Sequence, residues 1–200
     1  MLSTFQLQLI GSQHPLRRDV EGYIAERYRL AFNASVTDFM PLLLAVFNKQ
    51  HQLKSACGIR IANTGPLFLE RYLSAPVETL LINACQQHVE RQHLIEIGQL
   101  ASFSQGSAPL HFLLLTQYLI EQGFGWCVFT ATDPLYAMMR RLGLAPIQLC
   151  EAKAEHIENA KQIWGSYYRH HPRVCCGYLP NAYQQLSKRL GAPSQQVEAG

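Results

Sequence analysis

Two hundred residues suit one domain, long enough to bury on the order of 70% of the surface its unfolded chain exposes without a disulfide or metal staple. A net charge of +3, spread over scattered Arg and Lys residues with no aromatic-basic RNA motif, argues against a nucleic-acid partner. No apolar run reaches bilayer length, and the opening MLSTFQLQLIGSQHPLRRD lacks the basic start and small-residue cleavage site of a signal peptide.

In chain order, residues 5–10 alternate like a first strand. Pro15 suits a helix start, and Val20, Tyr23, Ile24, Tyr28 and Ala31 then recur at helical spacing opposite Arg17, Arg18, Glu26 and Arg29, which predicts an amphipathic helix. Residues 40–47 and 53–62 read as two strands joined by the hairpin loop NKQHQ, and Asn63-Thr64-Gly65-Pro66 ends the second. After LFLERYL, Ser74 stands as the N-cap of a helix over 75–90, with Pro76 and Glu78 in its first turn. The most informative stretch follows, 94–149: strand LIEIGQLASF, loop SQGSAP, helix LHFLLLTQYLIEQ, strand GWCVFTAT, helix DPLYAMMRRLG and strand LAPIQLC. Gly, Pro or Asp stands at nearly every switch of period. These strands are apolar on both faces, and a core of that kind places its ligand at the carboxyl ends of the strands. Beyond Cys150 the chain is more polar, with a helix over 155–168, a last strand over 174–178, a short helix over 181–190 and a disordered tail over 191–200.

The six cysteines form no CxxC, Cys57, Cys127 and Cys150 lie in apolar strand-like runs, and Cys175-Cys176 is a poor zinc spacing. Reduced thiols and a cytoplasmic protein are the expectation. The sequence has no H-E-x-x-H, no H-x-x-x-H pair and no acidic cluster for a catalytic metal, and no G-x-S-x-G for a serine hydrolase.

This element order is similar to the Gcn5-related N-acyltransferase (GNAT) fold, an α/β architecture with a mixed, mostly antiparallel twisted sheet flanked by helices, here one domain over residues 1–190. The blocks FMPLLLAV, PLFLERYLSAPVE, LIEIGQLAS, WCVFTATDPLYAMMRRLGLAP and WGSYY resemble the thermostable hemolysin family over residues 23–177, PLFLERYL and IEIGQLAS being the specific parts. The resemblance implies kinship with N-acyltransferases and acyl-homoserine-lactone synthases. In such proteins the fourth strand bulges and parts from the fifth, leaving a V-shaped slot for the pantetheine arm of an acyl thioester. It also implies no permanently held cofactor, acyl-CoA or an acyl carrier protein thioester as co-substrate, and a small amine as acceptor.

By the same resemblance Leu100, Ala101 and Ser102 line the slot, Thr130 and Thr132 face them, and Gln105, Gly106, Ser107 and Ala108 offer backbone N–H groups to a pyrophosphate at a helix N-terminus. The loop SQGSAP departs from the usual Q/R-x-x-G-x-G/A in having one Gly and a Pro, which weakens that cradle and is compatible with a carrier-borne acyl group. A plain strand-to-helix turn is the alternative. Glu96, in an apolar strand, needs a cationic partner or a raised pKa, so it is either a general base for the amine or a structural carboxylate paired with Arg60 or Arg71. The Ser and Arg that follow such a Glu in lactone synthases are Gly98 and Gln99 here, which argues against lactone synthesis itself. Arg60, in a strand-like run, needs an anion: Glu96 or a substrate carboxylate. Arg71 and Tyr72 belong to the insert that would wall an acceptor pocket or present a solvated face. Tyr136 falls where the leaving thiol would be protonated, or serves as a rim aromatic, and Asp133 reads as a helix cap. Trp164, with Tyr167 and Tyr168, forms an acyl-chain wall, a membrane-interface patch or a plain docking surface.

Three functions remain: an acyltransferase, a membrane-active haemolytic protein as the family name suggests, and a non-catalytic module that binds acyl thioesters. Membrane contact is not evident, and the oligomeric state is not encoded in any motif.

Overall fold

The computed structural model describes residues 5–102 and 108–191. The chain runs β1 (Phe5–Ile10), α1 (Arg17–Phe32), β2 (Leu42–Asn48), β3 (Leu53–Ile61), α2 (Val77–Cys85), β4 (Leu94–Ser102), α3 (Ala108–Glu121), β5 (Trp126–Ala131), α4 (Asp133–Arg141), β6 (Ile147–Glu151), α5 (Ala160–Trp164), β7 (Arg173–Tyr178) and α6 (Leu179–Leu190). The strands form one sheet in the order β1-β2-β3-β4-β5-β7-β6. β4 and β5 pair in parallel, and the other neighbours pair antiparallel. A parallel pair needs a crossover, and α3 supplies it. The fold is therefore the mixed, mostly antiparallel α/β architecture expected.

Helices cover both faces because alternate strand residues are apolar on each. Cys57, Ile59, Ile95, Cys127, Phe129 and Cys175 meet α3 and α6 through Phe112, Leu113, Leu115, Leu119, Leu179 and Leu186, and α4 packs on the same cluster through Leu135, Met138 and Met139. On the opposite face Val20, Ile24 and Tyr28 of α1, four apart, meet Leu43, Ala45 and Ala56, while Val77 and Leu81 of α2 meet Leu94, Val128 and Val174. Each fully buried Leu or Ile contributes roughly 1.5–3 kcal/mol of transfer free energy.

Three elements differ from the sequence reading. The helix expected over 75–90 is α2, which Pro76 rather than Ser74 precedes and which stops at Gln86 in the left-handed region, φ 55°. The polar run Gln86-Gln87-His88 offers no apolar face to continue it. The helix expected over 155–168 is broken into a 3-10 turn, the short α5 and a second 3-10 turn, Tyr167–His170. Gly165 breaks it: its φ is +56°, and a Cβ there would stand 2.1 Å from the Phe32 carbonyl oxygen. The break lets Ser35 N–H bond Ile163 O at 2.8 Å and Ser166 N–H bond Phe32 O at 2.7 Å, which stitches the segment to the end of α1. Finally, β6 is the outer edge of the sheet with Ile147 exposed, not a strand covered on both faces. Of the tail expected over 191–200, Gly191 is the left-handed C-cap of α6 and the rest lies outside the described residues.

Candidate active site

The site begins with a bulge in β4. Ala56 faces Ala101 and Gly58 faces Gly98, so Cys57 alone stands opposite both Gln99 and Leu100. Gln99 takes the extra residue's strain in the left-handed region, φ 52°. Its side chain holds the chain leading into β2: Oε1 accepts from Met40 N–H at 3.1 Å, and Nε2 donates to Asp38 O at 2.8 Å. Met40 in turn lies across Gly58 and Gly98, where Cβ atoms would approach it to 2.7 and 2.6 Å. A bulge bends its strand and increases the local twist. Accordingly β4 pairs with β5 only from Leu94↔Trp126 to Ile97↔Phe129, and beyond that point the two strands separate.

A cavity of about 1050 Å³ passes through this separation. On the α3 side it is apolar, walled by Leu100, Phe112, Leu115, Met138, Leu144 and Leu179. On the α1 side it is aromatic, walled by Tyr28, Phe32, Phe68, Tyr72, Trp164 and Tyr167. Small-molecule pockets typically enclose about 300–1,000 Å³, so this one has room for an extended ligand.

Glu96 lines the aromatic half and is 2% exposed. Its structural partners are neither Arg60 nor Arg71 but backbone: Phe68 N–H donates to Oε2 at 2.8 Å and Leu69 N–H to Oε1 at 3.0 Å. Glu96 thereby caps the 3-10 turn Phe68–Tyr72. Burial raises its pKa above the usual carboxylate range, against the lowering by those two N–H groups and by the Arg60 charge. The turn is fixed from its other side by Arg91, which bonds Glu70 at 2.7 Å, Glu78 at 2.8 Å and the Ala62 carbonyl at 2.9 Å. Burial works against ionisation of Glu70, but Arg91 and the Leu67 N–H outweigh it and hold its pKa low.

Arg60 lies directly opposite Glu96 across the β3–β4 ladder and also lines the cavity. Arg71 lines it too, with its guanidinium 4.9 Å from the Phe68 ring centroid. The Tyr72 and Tyr168 hydroxyls bond each other at 2.7 Å, and burial raises both phenols. Trp164 is aimed into the aromatic wall by the break at Gly165, with ring centroids 5.8 Å from Tyr28 and 6.3 Å from Phe68.

The structure thus brings together Glu96, Leu100, Ala101, Ser102, Thr130, Thr132, Arg60, Arg71, Tyr72 and Trp164 around one cavity. Tyr136 is placed elsewhere: it stands outside the lining, with the Arg173 guanidinium 4.7 Å from its ring centroid. Asp133 is likewise turned from capping to ion pairing, with Arg173 and with His171 at 2.9 Å. Ala108 is the first residue of α3 and outside the lining, while Gln105, Gly106 and Ser107 lie outside the described residues. Sequence reasoning missed Gln99, Met40 and Arg91. The Gly58/Gly98 pair was the available signal for Met40; nothing local marks Gln99 as a left-handed residue.

The profile of the thermostable hemolysin family matches residues 10–183. The chain belongs to the thermostable hemolysin family. No curated protein sequence matches this hemolysin-family chain. Among solved structures, the AHL synthase LasI superposes with a TM-score of 0.60 at 18% identity, over 96% of this chain and 98% of that one. FeeM, an N-acyl amino acid synthase from uncultured soil microbes, gives 0.62 at 15% identity, over 93% and 96%. The CoA-dependent acyl-homoserine lactone synthase BjaI, with SAM and isopentyl-CoA, gives 0.61 at 12% identity, over 95% and 91%. At these identities the likeness establishes the GNAT-like fold that this chain shares with them.

Proposed function

We propose that this protein is an N-acyltransferase that moves a long-chain acyl group from an acyl-CoA or acyl carrier protein thioester to the amine of a small acceptor. The observation that carries the reading is the cavity running between β4 and β5 from an apolar wall to an aromatic chamber containing a buried carboxylate. The pantetheine arm lies between Leu100, Ala101 and Ser102 on one side and Thr130 and Thr132 on the other. Gln105, Gly106, Ser107 and Ala108 meet its phosphate end, and the acyl chain occupies the aromatic half near Trp164.

In this reading an acceptor ammonium gives a proton to Glu96, which burial makes a stronger base than an ordinary carboxylate. The free amine attacks the thioester carbonyl carbon; the N–C bond forms, the C–S bond breaks, and the amine's remaining surplus proton passes to solvent. A thiol of pKa near 8.5 departs as the thiolate without a dedicated acid, so Tyr136, outside the cavity, is not required. Positioning supplies most of the rate, since the thioester is already activated. Support for direct lysis is limited to the family name. No helix among the described residues is long and apolar enough to cross a membrane. The exposed large apolar residues Leu9, Leu30, Ile82, Ile147, Tyr178 and Leu190 each belong to a different element.

The test is thiol release from long-chain acyl thioesters with a panel of amines, and mass spectrometry of the acylated product. Glu96→Gln should lower kcat by about 10²-fold or more. It should also abolish the acidic limb of the pH–rate profile, which loss of the cap on Phe68–Tyr72 alone would leave in place. No thiol release and no thioester binding across the panel would refute the enzyme reading.

A further inference from the structure

Two thiols that the acyl transfer does not use meet at one wall of the cavity. Cys85 Sγ lies 3.9 Å from Cys176 Sγ, although 91 residues separate them in the chain. The two differ in access. Cys176, in β7, is fully buried, whereas Cys85, the last residue of α2, is half-buried and lines the cavity. Burial raises the Cys176 thiol, which keeps it protonated at neutral pH. The other half-buried thiol, Cys150, donates to the Tyr72 carbonyl at 3.5 Å, and Cys57, Cys127 and Cys175 are buried. α2 is lightly held, with Val77 and Leu81 as its buried residues. In its first turn Glu78 bonds Arg91, and Arg91 bonds Glu70 of the turn Phe68–Tyr72 that Glu96 caps. The helix therefore backs the chamber wall. It is fastened near its start by Glu78 and meets β7 at its last residue through an unbonded pair of sulfurs.

We propose that Cys85 and Cys176 form a reversible disulfide when hydrogen peroxide enters the cavity, and that the bond latches α2 and the turn Phe68–Tyr72 against the sheet. The difference in access sets the order of events. The Cys85 sulfur attacks one peroxide oxygen, the O–O bond breaks, and a Cys85 sulfenic acid and one water form. The Cys176 sulfur then attacks the Cys85 sulfur. The S–S bond forms, the S–O bond breaks, and the hydroxyl leaves with the Cys176 proton as a second water. The two thiols lose two electrons, and these reduce the peroxide. A disulfide holds its sulfurs about 2.05 Å apart, so the pair must close by roughly 2 Å. The lightly packed end of α2 supplies that travel. The link closes a long loop, which restricts the unfolded chain, and it prevents the helix end from opening locally. A small dithiol reverses it by thiol–disulfide exchange.

The test treats the full chain with hydrogen peroxide and no acyl donor, so its outcome is independent of the acyltransferase reading. The oxidised protein should weigh about 2 Da less, lose two titratable thiols and yield a cross-linked tryptic peptide pair containing Cys85 and Cys176. Its Tm should rise by about 5 °C or more. Amide exchange in α2 and in Phe68–Tyr72 should slow by about tenfold or more. Dithiothreitol should return all of these to their starting values. Cys85→Ser and Cys176→Ala should each abolish the cross-link and the slowing; if the buried Cys176→Ala fails to fold, the half-buried Cys85→Ser decides alone. Oxidation of Cys85 to the sulfinic acid without a cross-link, a bond from Cys85 to Cys150 instead, or a cross-link that leaves exchange in Phe68–Tyr72 unchanged overturns the proposal.

Discussion

At the scale of single residues, the site depends on contacts too close to tolerate a methyl group. A Cβ on Gly58 would meet the Met40 Cβ at 2.7 Å, an atom fixed by the backbone, whereas one on Gly98 would meet the mobile Met40 Cε at 2.6 Å. Gly58→Ala should therefore cost about 1–3 kcal/mol, the usual range for overpacking, and Gly98→Ala distinctly less. Urea unfolding of the two variants checks the order, and equal losses would contradict it. Glu96 shows how far one residue is legible. Its apolar strand announces a carboxylate with a perturbed pKa, and the structure agrees in direction. Its partners, the N–H groups of Phe68 and Leu69, lie far back in the chain, and no periodicity connects them. Gln99 was illegible for a different reason. Its left-handed φ is imposed by the bulge and by the Asp38 and Met40 backbone groups it binds, not by any preference of glutamine.

Between elements, a buried polar contact ties α3 to β3, His111 Nδ1 with Ser55 Oγ at 2.6 Å. His111 is 2% exposed, Ser55 is 1% exposed, and the other imidazole nitrogen is buried without a partner. Burial pushes the His111 pKa from 6.5 down to about 4. The unfolded chain then binds the proton first as pH falls. The stability tied to neutral His111 is whole above pH 6.5 and is lost between there and about pH 4, by roughly 3 kcal/mol in all. Urea unfolding at pH 7.5 and 4.5 should show this loss in the wild type and a much shallower one in His111→Gln; parallel pH profiles would rule His111 out. Glu96 works in the opposite sense. A carboxyl raised by folding favours the folded state at low pH and costs stability as pH climbs through its folded value. Element order was legible because apolar period and turn residues coincide from β1 to β5. The break at Gly165 was not, because the apolar and aromatic residues 160–168 satisfy a helical pattern that only the approach of the Phe32 carbonyl forbids.

For the molecule as a whole, the seven strands form two half-sheets, β1-β2-β3-β4 and β5-β7-β6, joined by four residue pairs. Composition and periodicity do not reveal that parting; the family resemblance implied it, since separation of β4 from β5 arises from a bulge whose register is set by β3. If the slot takes a pantetheine thread and the aromatic chamber its acyl chain, a long-chain acyl-pantetheine at about 100 times its Kd should stabilise the fold by about 2.7 kcal/mol, or very roughly 5–10 °C in Tm. Acetyl-pantetheine at the same concentration should give a much smaller shift. Differential scanning fluorimetry measures both, and equal shifts would remove the aromatic chamber from chain binding.

The truncated β4–β5 pairing also bears on solubility. Residues 98–101 of β4 have no ladder to β5 among the described residues, and unpaired strand margins ordinarily recruit other chains into aggregates. Here that margin faces inward, roofed by side chains of α1 on one side and of α3 and α4 on the other. The protein can leave its ladder unfinished without inviting a neighbour's strand, because the gap opens into its own interior rather than onto its rim.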